Sequence, residues 1–415
     1  MSDLFNMAVE RPEMLSGQEL IDKLSVFPEY DESIKYESQA VRLMALADIH
    51  RLYIPSQMSL DIYSKLYLAL LRSLQKKGTQ TAIKQQYQNH RAIQQQAYRG
   101  IIGGSDSFTV IGVSGIGKSS AIDRAISLIA ENPVIEIEKP YTKIIPVLVV
   151  QCPFDSSVKG LLLEVLRKVD EMLESNYYSY ALKSRATTDM LIGSVSQVAL
   201  NHIGLLIVDE IQNVVNSRNG KNLIGTLTQL INNSGISIGM VGTPESVPFF
   251  EQAMHLARRS VGLQYTAMAY DSYFESFCKV IFGYQYIQNE SEISPAIIQW
   301  LYEHSAGMVS VVVSLIHDAQ EIAILTGTET LNMETLNQAY EQRLSLLHGY
   351  IQPTITHGNQ TGRTRKKVSV AGMDKSDIKL NNQKSLVDLV AQAKSENQDI
   401  VTLLKENFVV VEVAV

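Results

Sequence analysis

Cysteine is nearly absent from this chain. Cys152 and Cys278 are the only two in 415 residues, far apart and set in apolar or aromatic surroundings, which argues against a disulfide framework and against a zinc site. No apolar run approaches the roughly 20 residues needed to cross a bilayer. The opening residues, Met-Ser-Asp-Leu-Phe-Asn, have neither the charged nor the apolar region of a secretion signal. The expectation is a soluble cytoplasmic protein without a membrane partner. Positive charge is also scarce, with 36 Lys and Arg against 43 Asp and Glu and a net charge of −7, which opposes blanket charge-driven binding of nucleic acid. Local basic surfaces survive at Arg363-Thr-Arg-Lys-Lys367 and, more thinly, at Lys159, Arg167, Lys168, Lys183 and Arg185. The eight histidines show no ligand spacing and read as surface or satisfied core residues. There is no internal repeat. What is plentiful is hydrophobic residues, at 45%, enough for two or three packed units.

The most informative stretch is Gly112-Val-Ser-Gly-Ile-Gly-Lys-Ser119, preceded by the apolar Phe108-Thr-Val-Ile111 and followed by a helix-compatible run from Ser120 to Leu128. Strand, glycine-rich loop and helix in that order make a phosphate-binding loop. Small residues let backbone N–H groups curl around phosphates, and the helix presents its positive end to them. Gly112, Ser114, Gly115, Ile116, Gly117, Lys118, Ser119 and Ser120 form the candidate nucleotide cradle. Within it Lys118 reaches the β- and γ-phosphates of ATP and Ser119 places its hydroxyl on Mg²⁺.

Around this loop the organisation follows from periodicity. Residues 1–100 read as an N-terminal helical extension, including the amphipathic Leu60–Leu71 and the Gln-rich 85–96. Over 101–271 short apolar runs alternate with helical patterns, predicting an α/β domain on a five-stranded parallel sheet. The strands are expected at 107–112, 144–151, 204–208, 236–241 and 263–268, and the helices at 118–130, 157–174, 188–202, 221–233 and 245–258. Pro146 should lie near the start of its strand or on an edge, because it cannot donate to the ladder. Residues 272–350 read as a C-terminal helical lid. The composition of 351–415 is that of a mobile linker and a partner-binding tail that ends in the strand-like Phe408–Val415.

Three further features carry chemistry. Gly204-Leu-Leu-Ile-Val-Asp-Glu210 is an apolar strand ending in two carboxylates. Such a strand delivers Asp209 to the sheet edge as a Mg²⁺ ligand and Glu210 beside it as the group that polarises water. The strand Ile236–Val241 leads to Thr243, whose hydroxyl can sense the γ-phosphate or act as an N-cap, and this strand is expected between the two hydrolytic ones. Arg258 and Arg259 close a helix before the last strand, where an arginine can complete charge stabilisation in a neighbouring subunit.

Together with Asp-Glu-Ile-Gln-Asn at 209–213, Val-Gly-Thr-Pro at 241–244 and Ala-Arg-Arg at 257–259, these features resemble the TnsC/TniB family of transposition-regulating AAA+ ATPases. The resemblance covers about 40–345 and is strong from 107 to 290. It implies a bacterial AAA+ P-loop ATPase core that assembles with ATP, as rings or helical filaments, on double-stranded DNA. It also implies partners: a TnsD/TniQ-like target selector and a TnsB-like DDE transposase. By the same resemblance Lys118 and Ser119 are loop residues, Asp209 and Glu210 the metal and water positions, Thr243 the sensor, and Arg258 or Arg259 the finger. Many AAA+ lids carry an arginine where Gly307-Met-Val-Ser-Val311 offers Ser310, which points to slow or partner-controlled turnover. For DNA phosphates the candidates are Ser157, Lys159, Lys183 and Arg185, the last two in the loop after the helix that Ser157 begins. The rival readings are another DNA-associated AAA+ switch of the helicase-loader or origin-binding type, and a non-hydrolysing scaffold that uses nucleotide as structural glue.

Overall fold

A computed structural model describes residues 13–77, 107–138, 141–155, 157–214, 220–252 and 261–348, all within one compact unit, Met1–Thr356. Helices α1 (Gly17–Leu24), α2 (Gln39–Ala45) and α3 (Gln57–Lys77) precede strand β1 (Phe108–Gly112) and α4 (Lys118–Ile129). Next come β2 (Ile135–Glu138), β3 (Tyr141–Gln151), α5 (Val158–Leu173), α6 (Tyr177–Lys183), α7 (Thr188–His202) and β4 (Ile203–Asp209). The domain continues with α8 (Gly220–Ser234), β5 (Ser237–Gly242), α9 (Val247–Gln252) and β6 (Val261–Tyr265). The lid comprises α10 (Ser272–Phe282), α11 (Pro295–Ser305), α12 (Val309–Thr326) and α13 (Met333–Arg343).

The sheet has six strands in the order β2-β3-β4-β5-β1-β6. Five are parallel, as expected. The sixth, β2, pairs antiparallel with Tyr141–Ile144 of β3, and its four residues are too few for an alternation that sequence can show. Strand β5 lies between β4 and β1, which sets the three functional strand ends side by side. Strands β1 and β5 are buried along their whole length, the pattern of a parallel sheet covered on both faces. Pro146 is the sixth residue of β3 rather than near its start. It lies beyond Ile144, where the pairing with β2 stops, so β3 has a strand partner on one side only at that point.

One face of the sheet is covered by α5, α7 and α8, through residues such as Leu162, Val195 and Leu227. The other face is covered by α4 and by α3, whose Ile62, Leu66 and Leu70 join Phe108, Leu205 and Ile207. Gly204 permits this approach: a Cβ there would stand 2.6 Å from Leu70 and 2.4 Å from the Pro146 carbonyl. The segment between α2 and α3 packs against the lid instead, with Leu46 and Ile49 in the same core as Phe274, Leu315 and Leu336. Arg42 fastens that contact through two bonds to Glu329, 2.6 and 2.8 Å long.

By length and composition α12 is apolar enough to cross a membrane. Val312, Leu315, Ile316 and Ala319 are fully buried in the lid core, so in this fold it is the central helix of the lid. Both cysteines are buried and unpaired.

Candidate nucleotide site

The loop between β1 and α4 owes its shape to two glycines in left-handed backbone, Gly115 at φ 84° and Gly117 at φ 94°, where a side chain is strained. A Cβ on Gly117 would meet nothing within 4 Å, while one on Gly115 would stand 2.4 Å from Ser310 Oγ. The start of α12 is thus docked on the loop, and Ser310 N–H donates to the Gly115 carbonyl at 3.0 Å. Lys118 Nζ donates to the carbonyls of Gly112 and Val113 at 2.7 and 3.0 Å. Burial lowers the Lys118 pKa, and the carboxylates of Asp209, Glu210 and Glu245 work against that effect.

Across the cleft, β4 delivers Asp209 to the sheet edge, where its Oδ2 accepts from Ser119 Oγ at 3.0 Å. A hydroxyl and a carboxylate meeting at the mouth of a phosphate loop are the oxygen donors that suit Mg²⁺. Glu210 follows in left-handed backbone, φ 57°, its N–H bonded to Asp209 Oδ1 at 2.8 Å. The Gln212 side-chain amide donates to the Glu210 carboxylate and accepts from Thr243 N–H at 3.2 Å. Gln212 therefore ties the end of β4 to the end of β5.

Thr243 stands at the N-cap of a short 3₁₀ turn, Pro244–Ser246, yet its side chain makes no capping bond. Its Oγ1 is buried without a hydrogen-bond partner. It lies close enough to the Glu245 carboxyl to hold that group below its ordinary range, without a geometry that closes a bond. A buried hydroxyl without a partner is costly, and its presence beside Glu210 and the loop fits a site built for a ligand oxygen. The residues present thus suit a nucleoside triphosphate with Mg²⁺.

The cleft they enclose has a volume of about 410 Å³. Its other end is apolar and was not legible in the sequence. It is walled by Leu52, Tyr53 and Ile54 from the N-terminal segment and by Tyr273, Phe277 and Val313 from the lid, and no spacing rule links positions more than 200 residues apart. Such a wall suits the flat base of a nucleotide.

Residues 103–265 match the model of the family "Bacterial TniB protein". The resemblance drawn from the motifs is met over this matched segment, which holds the phosphate loop, Asp209, Glu210 and Thr243. No curated protein matches the sequence. Among solved structures, the chain is similar to the Aeropyrum pernix ORC1 protein in complex with DNA, at 12% identity over 63% of this chain and 65% of that one, with a TM-score of 0.41. It is also similar to the Drosophila ORC bound to DNA, at 14% identity over 96% and 83%, with a TM-score of 0.42. The chain spans less than two thirds of the length of the Aeropyrum protein.

Outside the cleft the expected residues have mixed fates. Arg258 and Arg259 lie outside the described residues, as do the basic run 363–367 and the terminal Phe408–Val415. Ser157 caps α5 by accepting from Gly160 N–H at 3.1 Å, and Lys159 is exposed in the first turn. Both line a groove of about 610 Å³ shared with Thr188, Asn222 and Gln229. Lys183 is not in a loop: it is the last residue of α6, a helix too short to show periodicity. Exposed Arg185 follows in left-handed backbone, φ 49°. Arg167 and Lys168, part of the thin basic set, are committed internally. Arg167 is bonded to Glu164 and Glu171, and Lys168 donates to the Val149 carbonyl at 2.7 Å.

Proposed function

We propose that this protein is an ATP-dependent regulator of DNA transposition. With ATP it assembles as a ring or helical filament on double-stranded target DNA and joins a TnsD/TniQ-like target selector to a TnsB-like DDE transposase in the bacterial cytoplasm; hydrolysis dissolves the assembly. One observation carries this reading: the TniB match falls on the same segment that brings Ser119, Asp209, Glu210 and Thr243 together at one sheet edge.

Lys118 leaves its loop carbonyls to neutralise the β- and γ-phosphates. Ser119 and Asp209 hold Mg²⁺, which when bound draws charge from the phosphate oxygens. Glu210 polarises the attacking water, and Thr243 supplies its unpaired hydroxyl to the γ-phosphate or to that water. Gln212 donates into the Glu210 carboxylate and so competes with the water for it, which supports slow, partner-controlled turnover. Among the described residues the lid adds no arginine there, and Ser310 makes the contact with the loop. Arg258 or Arg259 from the adjacent subunit completes the site. Ser157, Lys159, Lys183 and Arg185 contact DNA phosphates, each weakly, and repetition along the assembly multiplies their effect.

Electron microscopy of the protein with double-stranded DNA, with and without a slowly hydrolysed ATP analogue, tests the proposal. Rings or filaments form only when both are present, and Glu210→Gln forms them with ATP itself and holds them. Monodisperse particles in every condition would overturn it. The Gln212–Glu210 contact also favours a second reading, a scaffold in which nucleotide is structural glue; DNA-stimulated release of phosphate from ATP by the wild type, absent in Glu210→Gln, decides against the scaffold.

A further inference from the structure

The lid carries a second cluster of ligating side chains, none of which lines the nucleotide cleft. His317, Asp318 and Glu321 of α12 place one ligand atom each within 4.8 Å of one another. His317 Nδ1 and Asp318 Oδ1 are already 2.9 Å apart. His317 and Glu321 are four residues apart on one helix, a spacing that sets two side chains over the same face. A second imidazole stands against the first: His50, from the 3₁₀ turn Leu46–Arg51, has its ring centroid 4.5 Å from that of His317. The three α12 side chains are only 19 to 28% exposed, so they are held by packing rather than waving in solvent.

We propose that His317, Asp318 and Glu321 form a three-ligand binding site for a divalent transition metal of the Zn²⁺ class, with the fourth position left to water. The donors are one imidazole nitrogen with two carboxylates. Such a set prefers zinc or cobalt to the hard, all-oxygen cations Mg²⁺ and Ca²⁺. The Asp318 and Glu321 carboxylates bring two negative charges to the cluster, one of them paired with Arg343, and a divalent ion offsets them. Zinc bonds of about 2.0–2.2 Å bring ligand atoms to roughly 3.4 Å from one another, and rotation of the Glu321 and His317 side chains closes that difference. Arg343 Nη2 donates to Glu321 Oε1 at 3.3 Å and competes with a metal for that carboxylate.

Titration of the full-length protein with Zn²⁺ against a chromophoric chelator, in millimolar Mg²⁺ to fill the hard-cation site, tests the assignment. The expected result is one equivalent bound by the wild type, with affinity lower by at least about tenfold in His317→Ala and in Glu321→Gln. Arg343→Ala should bind several-fold more tightly, because Glu321 loses its competitor. Circular dichroism and melting without metal check that each variant is folded, and Glu321→Gln, at the more exposed position, is the safeguard should His317→Ala fail to fold. Wild type without binding, unchanged affinity in folded Glu321→Gln, or no tightening in Arg343→Ala would each overturn the proposal. Because His50 also lines the nucleotide cleft, the titrations are made without ATP, and none of these outcomes depends on its binding there.

Discussion

Replacing Gly115 with Ala adds one methyl group at the point where loop and lid touch, and the structure allows the cost to be divided. The backbone part comes from φ 84°, a left-handed conformation that costs a residue with a Cβ about 1–2 kcal/mol. The steric part comes from Ser310 Oγ, 2.4 Å from the new Cβ, a separation that forces either the hydroxyl or the first turn of α12 to move. That turn also holds the 3.0 Å bond from Ser310 N–H to Gly115, so a shift of the helix costs about a further 1 kcal/mol. With about 1.4 kcal/mol per factor of ten, Gly115→Ala should weaken binding of a fluorescent ATP analogue by roughly 25- to 140-fold. Gly115→Ala/Ser310→Ala removes the clash, since Ser310 Cβ would be at an ordinary 3.5 Å, and should recover the steric part while leaving the backbone part. Both variants and Ser310→Ala alone are measured by equilibrium titration. Wild-type affinity in Gly115→Ala, or no recovery in the double variant, would refute the account of lid and loop as one fitted contact.

Thr243→Val removes the buried hydroxyl that has no partner. It should leave urea stability unchanged or raise it by up to about 1 kcal/mol while lowering ATP turnover at least about tenfold. Lys77 is fully buried, donates to the Ala199 and Leu200 carbonyls, and is pushed by burial down to about 7. Between that value and about 10.4, the ordinary lysine value of the unfolded chain, the unfolded chain binds a proton that the folded chain lacks. Stability should therefore rise with pH across this window, and Lys77→Met should flatten the rise in urea unfolding at pH 7, 8.5 and 10. Glu329→Ala leaves the Arg42 guanidinium, 4% exposed, without its carboxylate. It should cost about 3–5 kcal/mol, read as a lowered melting temperature, with Arg42→Met/Glu329→Met recovering much of the loss.

The phosphate loop and the strand ending at Asp209 and Glu210 were legible because each is a contiguous run whose residue types are forced by its contacts. The expected parallel strands are found with ends shifted by at most three residues. Strand β2 and helix α6 were not legible, being four and seven residues long, shorter than the window over which periodicity separates from chance. Gln212 stood beside Glu210 in the quoted motif, but its bond to Thr243 depends on β5 lying next to β4. Tyr53 and Phe277 meet across the cleft only after the chain has folded around the sheet. The thin basic set shows the converse: Arg167 counts as free charge in a composition and is spent on Glu164 in the fold.

The Arg42–Glu329 ion pair joins residues 287 positions apart. Leu46 and Ile49, made early in synthesis, find their apolar partners in Leu315 and Leu336, which are made far later. The sheet can close before then, since α3 and β1 to β6 are complete by residue 265. The segment between α2 and α3 cannot, and its exposed apolar groups must wait through the synthesis of nearly 300 residues. If folding follows the order of synthesis, this clasp closes late, and with it the wall of the nucleotide cleft made by Leu52, Tyr53 and Ile54.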